Sequence, residues 1–235
     1  SLTLTFKPIA SGSKGNAYLV SDGKTKILIE CGLKFRDIQI ALDFRLSDIN
    51  ACLISHEHDD HSLSVKDVLR SGINVYTSNG TIEALKIKHH RLKPIKAKKQ
   101  FKIGTFTILP FEVEHDANEP LGFLLHSDNG ERLLFATDTY FIRYRFNNLS
   151  IIAVECNYSE KILEQNILDG IVPVAMKKRL IQSHFSLENY KEFLKANDLS
   201  KVKEIWLLHI SNRNSDEELF KREIQQLTGK PVYIA

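Results

Sequence analysis

The 235-residue chain has few cysteines and no long hydrophobic run. Its three cysteines, Cys31, Cys52 and Cys156, are too few and too isolated for a disulfide framework, so we expect buried free thiols in a reducing compartment. No segment reaches membrane-spanning length, and the first residues show no basic region followed by an apolar stretch. We therefore expect a cytoplasmic protein without membrane contact.

A strong charge imbalance is also missing, because 32 basic residues nearly cancel 29 acidic ones and leave a net charge of +3. The total charge therefore indicates no class of partner. The distribution is uneven, since residues 86–102, KIKHHRLKPIKAKKQFK, contain eight lysines and arginines and no acidic residue. Such a run is a solvated face or a surface that follows phosphates, and here it favours a polyanionic substrate.

Two smaller basic groups, MKKR at 176–179 and the pair Arg143 and Arg145, support the same interpretation. Few aromatic residues are interleaved with the basic ones apart from Tyr140, Phe141 and Tyr144. Because single-stranded nucleic acids are often bound by aromatic rings that stack on bases, we do not expect base stacking to be used for sequence readout.

No low-complexity stretch or proline-rich linker divides the chain, and strands occur in two groups that are each followed by helices. This pattern predicts one domain, residues 1–235, of the α/β class, built as a four-layer α/β/β/α sandwich. The predicted strands are 3–9, 17–21, 25–30, 51–55, 74–78, 106–113, 121–127, 132–137, 151–155, 204–208 and 231–235. The predicted helices are 35–44, 64–72, 79–88, 159–168, 186–196 and 215–227.

A run of six ionisable residues, HEHDDH at 56–61, directly follows the predicted strand ACLIS. Alternating residues leaving a strand point the same way, so His56 and His58 can hold one ion, while Asp60 and His61 turn toward a second. Imidazole and carboxylate ligands suit zinc, manganese or iron(II), and the lack of a thiol in the run argues against a structural zinc finger. The alternative is a charged loop whose acidic residues precede the helix at 64.

Four ligands do not complete two metal sites, but three more candidate ligands follow apolar runs. His115 follows FTILPFEVE, Asp138 follows RLLFAT, and His209 follows EIWLL. Any one of them alone is more often an ordinary loop residue. Together with the HEHDDH run they supply seven ligands, enough for two ions that share a bridging carboxylate.

With these motifs the chain resembles the metallo-β-lactamase superfamily, whose hallmark is His-x-His-x-Asp-His. The resemblance implies an α/β/β/α sandwich of metallo-β-lactamase type and two divalent metal ions. Glu30, in LIECGL, stands where an aspartate is usual; that aspartate hydrogen-bonds to metal ligands. The implied ligands are His56, His58 and His115 for the first ion, Asp60, His61 and His209 for the second, and Asp138 as the bridge.

Further segments look like the WalJ-type (YycJ-type) bacterial exonucleases, which are single-domain relatives of RNase Z. This resemblance implies a phosphodiesterase, a 5′→3′ exonuclease on DNA, that uses a metal-bridging hydroxide and two ions of zinc, manganese or iron. Tyr158 departs from the family, which usually has a histidine there. The segments are ASGSKGNAYLV (10–20), EHDANEPLGF (114–123), FATDTY (135–140), VECN (154–157), KKRLIQSHFS (177–186) and LLHISNRNSDEE (207–218).

The resemblance casts His184, in SHFS, as a catalytic residue that contacts the scissile phosphate or protonates the leaving oxygen, beside Asp60 as a catalytic metal ligand. Alternatively, His184 only precedes a helix capped by Ser186. The glycine-rich SGSKGN segment is either a phosphate cradle or a plain turn. The candidate substrate-binding residues are Ser11, Ser13, Asn16, Asn157 and Arg179.

Other functions compatible with the same metals are weighed against the nuclease. A small-molecule hydrolase acting on a thioester, lactone or β-lactam predicts a compact apolar pocket and has no need of the basic segment 86–102. An oxygen-reducing di-iron protein of this superfamily replaces the second motif histidine by glutamate, so His58 argues against it. RNase Z itself has a long glycine-rich insertion that is missing here, and the β-CASP nucleases are excluded by length. A protein that binds metal or nucleic acid without catalysis is the remaining alternative.

Overall fold

A computed structural model describes residues 3–235, which form two compact units. Unit 1 contains residues 3–112 and 117–132, and unit 2 contains residues 113–116 and 133–235. That residues 1–235 make one domain stays a prediction.

Unit 1 contains a mixed sheet, β1 to β6, and an antiparallel ribbon, β7 to β9. In the mixed sheet β1, β2 and β3 pair antiparallel, and β3 to β6 follow one another in parallel. The ribbon pairs β7 with β8 and β8 with β9. The strands are β1 (Thr5–Ala10), β2 (Ala17–Ser21), β3 (Lys26–Ile29), β4 (Ala51–Leu53), β5 (Val75–Ser78), β6 (Leu92–Ile95), β7 (Phe101–Ile103), β8 (Phe106–Glu112) and β9 (Leu121–Ser127).

The helices of unit 1 bury their apolar faces against the mixed sheet. Ile38 of the first helix and Val68 of the third belong to one hydrophobic cluster with Leu28 and Cys52 of the sheet. This packing is typical of parallel strands joined by helical crossovers. The helices are α1 (Phe35–Ala41), α2 (Asp59–Ser62), α3 (Val65–Arg70) and α4 (Asn79–Leu85), with a 3-10 turn at Leu46–Asp48.

The turn between β2 and β3 is fixed by the buried carboxylate of Asp22. Its Oδ1 accepts hydrogen bonds from the backbone N–H groups of Lys24 (3.0 Å) and Thr25 (2.9 Å). Its Oδ2 accepts from the hydroxyls of Thr105 and Ser127, the latter at 2.7 Å. Burial alone would raise the pKa of Asp22, but these hydrogen bonds outweigh it and lower the pKa. One ionised carboxylate thus ties three turns of unit 1 together.

Unit 2 is built on the parallel strands β10 to β13. Every residue of β11 is buried, as expected for a strand covered on both faces. Strand β13 pairs in parallel with β12 and lies at one edge of the sheet. The elements are β10 (Arg132–Ala136), β11 (Ile151–Glu155), α5 (Glu160–Leu168), α6 (Ala175–Ser183), α7 (Leu187–Ala196), β12 (Glu204–Leu208), α8 (Glu217–Thr228) and β13 (Val232–Ile234).

The observed elements agree with most of the predicted ones, and β9, β11 and β12 agree to the residue. The predicted helix 35–44 ends early, at Ala41, because Asp43 and Phe44 adopt left-handed backbone angles. Four elements were not predicted: α2, β6, β7 and α6. Strand β6, LKPI, carries a proline and an exposed lysine, which is tolerated because it is the last strand of its sheet.

The three cysteines are buried and free of disulfides, as predicted. Among the described residues, no helix is both long and apolar enough to cross a bilayer. A cytoplasmic location remains a prediction.

Candidate metal-binding and active-site residues

In both units, candidate ligands follow the carboxyl ends of parallel strands. Because these ends meet at one edge of a sheet, each unit collects its own polar group there. The group of unit 1 begins with Glu30 after β3 and His56 after β4, and that of unit 2 contains Asp138 after β10, Glu155 at the end of β11 and His209 after β12.

The polar group of unit 1 brings together the four predicted ligands of the HEHDDH run. Glu30, His56 and His61 are buried and offer ligand atoms within 4.8 Å of one another. The ring of His56 lies 4.7 Å from that of His58 and 4.2 Å from that of His61. His61 Nε2 lies 3.3 Å from Asp60 Oδ2.

Glu30 anchors two of these histidines. Its Oε2 contacts Nδ1 of His61 and accepts from the Ser55 hydroxyl at 2.7 Å, and its Oε1 accepts from the Ser55 backbone N–H at 2.7 Å. Since the Ser55 hydroxyl has one hydrogen, which goes to Glu30, it accepts from Nδ1–H of His56 at 2.8 Å. Both rings are thereby oriented to bind through Nε2. The glutamate at this position therefore makes the contacts expected of the usual aspartate.

Asn16, predicted to contact substrate, is buried and hydrogen-bonded to the HEHDDH run. Its Nδ2 donates to the carbonyls of Gly12 (2.8 Å) and Asp60 (3.0 Å), and its Oδ1 accepts from the Tyr18 hydroxyl (3.1 Å). Ser11 is half-buried, with its hydroxyl 2.6 Å from that of Tyr18. Of the three candidates in SGSKGN, Ser13 is the exposed one.

The two acidic residues of the run that were given no metal role lie apart from the ligand atoms. Asp59 is exposed and begins α2. Glu57 is half-buried, and its Oε2 accepts from the backbone N–H of Asn118 at 3.0 Å.

The polar group of unit 2 brings together the other three predicted ligands and His184. Asp138, Glu155, His184 and His209 offer ligand atoms within 4.8 Å of one another. Asp138 Oδ1 lies 3.7 Å from His209 Nε2, and its Oδ2 lies 4.0 Å from His115 Nε2. Asp138 and His209 have φ of 49° and 54°, values that non-glycine residues rarely adopt and that concentrate at functional sites.

Glu155 is a further acid of this polar group, and the sequence assigned it no role. It is fully buried, its Oε1 accepts from His184 Nδ1 (2.7 Å) and the Phe185 N–H (3.0 Å), and its Oε2 accepts from the Asp138 N–H. Burial alone would lower the pKa of His184, but the charges of Glu155 and Asp138 raise it above its ordinary value. The available signals were its place in the VECN segment and an acid at the end of the apolar strand IIAVE.

Three further candidates in unit 2 fall into different environments. Asn157 is buried, and its Nδ2 donates to the His209 carbonyl at 2.8 Å and lies 3.2 Å from His209 Nδ1, so it orients a ligand. Arg179 is exposed on α6. Tyr158, at the family's usual histidine position, is buried among Leu163 and Val172, where burial raises its pKa. Tyr158 is therefore a core residue.

Residues 25–210 match the family model described as a beta-lactamase superfamily domain. The chain belongs to the β-lactamase superfamily. Exodeoxyribonuclease YycJ of Bacillus anthracis is 26% identical over 242 residues, which cover 95% of this chain and 89% of that protein. Exodeoxyribonuclease WalJ of Streptococcus pneumoniae is 28% identical over 228 residues, which cover 90% and 83%.

The fold of this superfamily member is shared by solved structures. The metallo-β-lactamase fold protein YhfI from Bacillus subtilis superposes with a TM-score of 0.76 at 16% identity, covering 99% of this chain and 95% of that one. The predicted α/β fold of metallo-β-lactamase type, with mixed sheets flanked by helices, is confirmed, as is the predicted hydrolase class.

The donor sets of this superfamily hydrolase indicate divalent metal ions. Each unit gathers imidazoles and carboxylates, the ligands that zinc, manganese and iron(II) accept. The Nδ1 atoms of His56, His61 and His209 are hydrogen-bonded to Ser55, Glu30 and Asn157, respectively. A hydrogen bond at the nitrogen that does not bind metal is usual for metal-binding histidines. The residues present therefore fit the metals that the fold implies.

Proposed function

We propose that this hydrolase is a two-metal-dependent phosphodiesterase that degrades DNA from the 5′ end. The observation that carries the proposal is the His184–Glu155 pair beside Asp138, because a histidine fixed by a buried carboxylate is suited to donate a proton to a departing oxygen. The two curated relatives, which cover most of the chain, are named exodeoxyribonucleases.

We assign seven residues to two metal ions, zinc or manganese, with iron as a third option. The assignment is supported by the donor chemistry of the two polar groups, by the family match and by the number of ligands. When bound, two such ions lower the pKa of a water molecule and neutralise charge on the phosphodiester. The ligands are His56, His58 and His115 for one ion, Asp60, His61 and His209 for the other, and Asp138 for both.

The residues around the metals have separate tasks. His184, bonded to Glu155 through Nδ1, would present Nε2–H to the scissile phosphate and give that proton to the leaving oxygen. The carboxylate of Asp60 would orient the attacking water as well as bind metal. Glu30 and Asn157 would hold ligand rings in place through hydrogen bonds. Ser13 and Arg179, both exposed, remain candidates for contacts with the phosphate backbone.

The proposal is tested with 5′- and 3′-labelled single- and double-stranded DNA and RNA, incubated with manganese, zinc or magnesium. We expect metal-dependent release of label from the 5′ end of DNA. Removing two ligands, in an Asp60→Ala, His61→Ala double variant, should lower the rate by about 100-fold or more, since the metals carry most of the catalysis. Asp59→Ala, an exposed neighbour in the same run, is the matched control. Failure to cleave any nucleic acid, with turnover of a thioester or lactone instead, would establish the small-molecule hydrolase.

A further inference from the structure

Unit 2 contains a pocket of about 360 Å³ between residues 141–145 and helix α7. This volume falls within the range of about 300–1,000 Å³ that small-ligand pockets occupy. Its lining combines flat rings with cations and amides: Phe141, Tyr144, Phe185 and Phe193 supply the rings, and Arg143, Arg145 and Asn189 the polar groups.

The pocket wall is connected along the chain to residues of the polar group of unit 2. Residues 141–145 begin three positions after Asp138, and Phe185 follows His184 directly. Two hydrogen bonds from side chains to backbone carbonyls hold the loop. The Thr139 hydroxyl donates to the Phe141 carbonyl at 2.8 Å, and Asn189 Nδ2 donates to the Tyr140 carbonyl at 3.3 Å. The loop is therefore anchored without Phe141 and Arg145, and the chain connects the pocket wall directly to Asp138 and His184.

The charged residues of the pocket favour an anion beside Arg145. Arg143 forms a salt bridge with Glu114, and the acidic residue of the lining, Glu192, lies 3.2 Å from Lys195. Arg145 is exposed, and the salt bridges of residues 3–235 do not include it. Phe141, which lines the same pocket, has 52% of its surface exposed. A pocket lined by both an exposed ring and an exposed guanidinium is suited to a base and its phosphate.

We propose that this pocket binds an unpaired nucleoside of the substrate strand, with the base stacked on Phe141 and the adjoining phosphate on Arg145. The inference rests on the proposed nuclease function and identifies where the strand is held. Stacking tolerates any base, because every base has a flat π face. The pocket therefore positions the strand end and does not read its sequence, which agrees with the scarcity of aromatic residues elsewhere in the basic segments.

The test measures binding of a fluorescent, 5′-phosphorylated oligodeoxythymidylate to the full chain in the presence of a chelator. A series of strands carries a single abasic residue at successive positions. We expect one abasic position to weaken wild-type binding about tenfold, the size of one stacked base. Phe141→Ala should weaken binding of the intact strand by a similar factor and should no longer respond to that abasic position. Phe141→Tyr, which keeps the ring, should bind as the wild type does.

Arg145→Ala should weaken binding of the intact strand, and its matched control is Arg222→Ala, an exposed arginine of α8. Phe44→Ala, an exposed phenylalanine of unit 1, is the control for Phe141→Ala. An unchanged affinity of Phe141→Ala and Arg145→Ala, or an abasic effect equal in wild type and Phe141→Ala, would overturn the pocket while leaving the nuclease intact. Cleavage of DNA, assayed in parallel with manganese, tests the nuclease activity separately, because binding measured in the presence of a chelator requires no turnover.

Discussion

At the scale of single residues, the candidate ligands are oriented by neighbours that bind no metal. Glu30 contacts His61, the Ser55 hydroxyl bonds to His56, and Asn157 bonds to His209. The Ser55 and Glu30 contacts fix the tautomers of His56 and His61, so that Nε2 of each ring is left for a metal, and the Asn157 contact holds the ring of His209 in place. Because all three supporting residues are buried, water cannot replace them.

Glu30→Gln should weaken metal binding about 10- to 100-fold, the usual cost of losing a hydrogen-bonding partner of a ligand. The amide can still accept one bond from Ser55, but it carries no negative charge against Nδ1 of His61. Competition between the protein and a fluorescent zinc chelator measures the affinity. Glu57→Gln, an acid of the same polar run whose Oε2 accepts from a backbone N–H, is the matched control. Equal zinc affinity in Glu30→Gln and wild type would refute the role of Glu30.

At the scale of elements, three backbone segments of unit 1 meet at the HEHDDH run. The N–H of Asn16 donates to the Asp60 carbonyl (2.8 Å), that of Cys31 to the His61 carbonyl (2.9 Å), and that of Gly32 to the Asn16 carbonyl (2.9 Å). Helix α2 has only four residues, too short to be stable alone. The segments after β1 and β3 therefore hold the turn with the candidate ligands in place.

Gly32→Ala should displace this turn. A β-carbon on Gly32 would lie 1.7 Å from the Asp60 carbonyl oxygen, so one of the two backbones must move. We expect the free energy of unfolding to fall by about 3 kcal/mol, the upper part of the usual range for overpacking, and metal affinity to fall with it. Urea denaturation and zinc titration measure the two effects.

The control for Gly32→Ala is Gly130→Ala. A β-carbon on Gly130 would meet nothing within 4 Å. The free energy of unfolding should fall by about 1 kcal/mol, because alanine is disfavoured at the left-handed φ of 90°. If both variants lost the same stability and kept wild-type metal affinity, the close approach of Gly32 to Asp60 would not be needed for metal binding.

At the scale of the whole molecule, the basic segment 86–102 is an exposed surface of unit 1. It contains β6, and Lys96, Lys98 and Lys99 are exposed in the loop that follows. Charges on such a surface add to nucleic-acid affinity by displacing counterions from the phosphates, which makes binding depend on salt.

Neutralising Lys96, Lys98 and Lys99 to glutamine should weaken DNA binding at low salt. The slope of log K against log salt should shrink by about 2 for single-stranded DNA if each lysine meets one phosphate. Fluorescence anisotropy over a series of salt concentrations measures the slope. The same change at Lys24, Lys161 and Lys201, which are also exposed, is the control. A slope equal to that of the control would place the segment outside the substrate path.

The sequence by itself determined the superfamily, the fold class and the chemistry of the seven candidate ligands. It could do so because four of them lie within one six-residue run and the others each follow an apolar strand, so local pattern is enough. It also predicted the long, fully apolar strands well, but missed β6 and α6, whose polar sequences gain their structure from neighbours.

Only the tertiary structure decided which side chains support the ligands and where a strand could be held. Glu30 contacts His61 across 31 positions, and Glu155 bonds to His184 across 29. The pocket between residues 141–145 and α7 likewise joins separate segments. Strand order and helix packing bring these residues together, and neither is visible in the local pattern of the sequence.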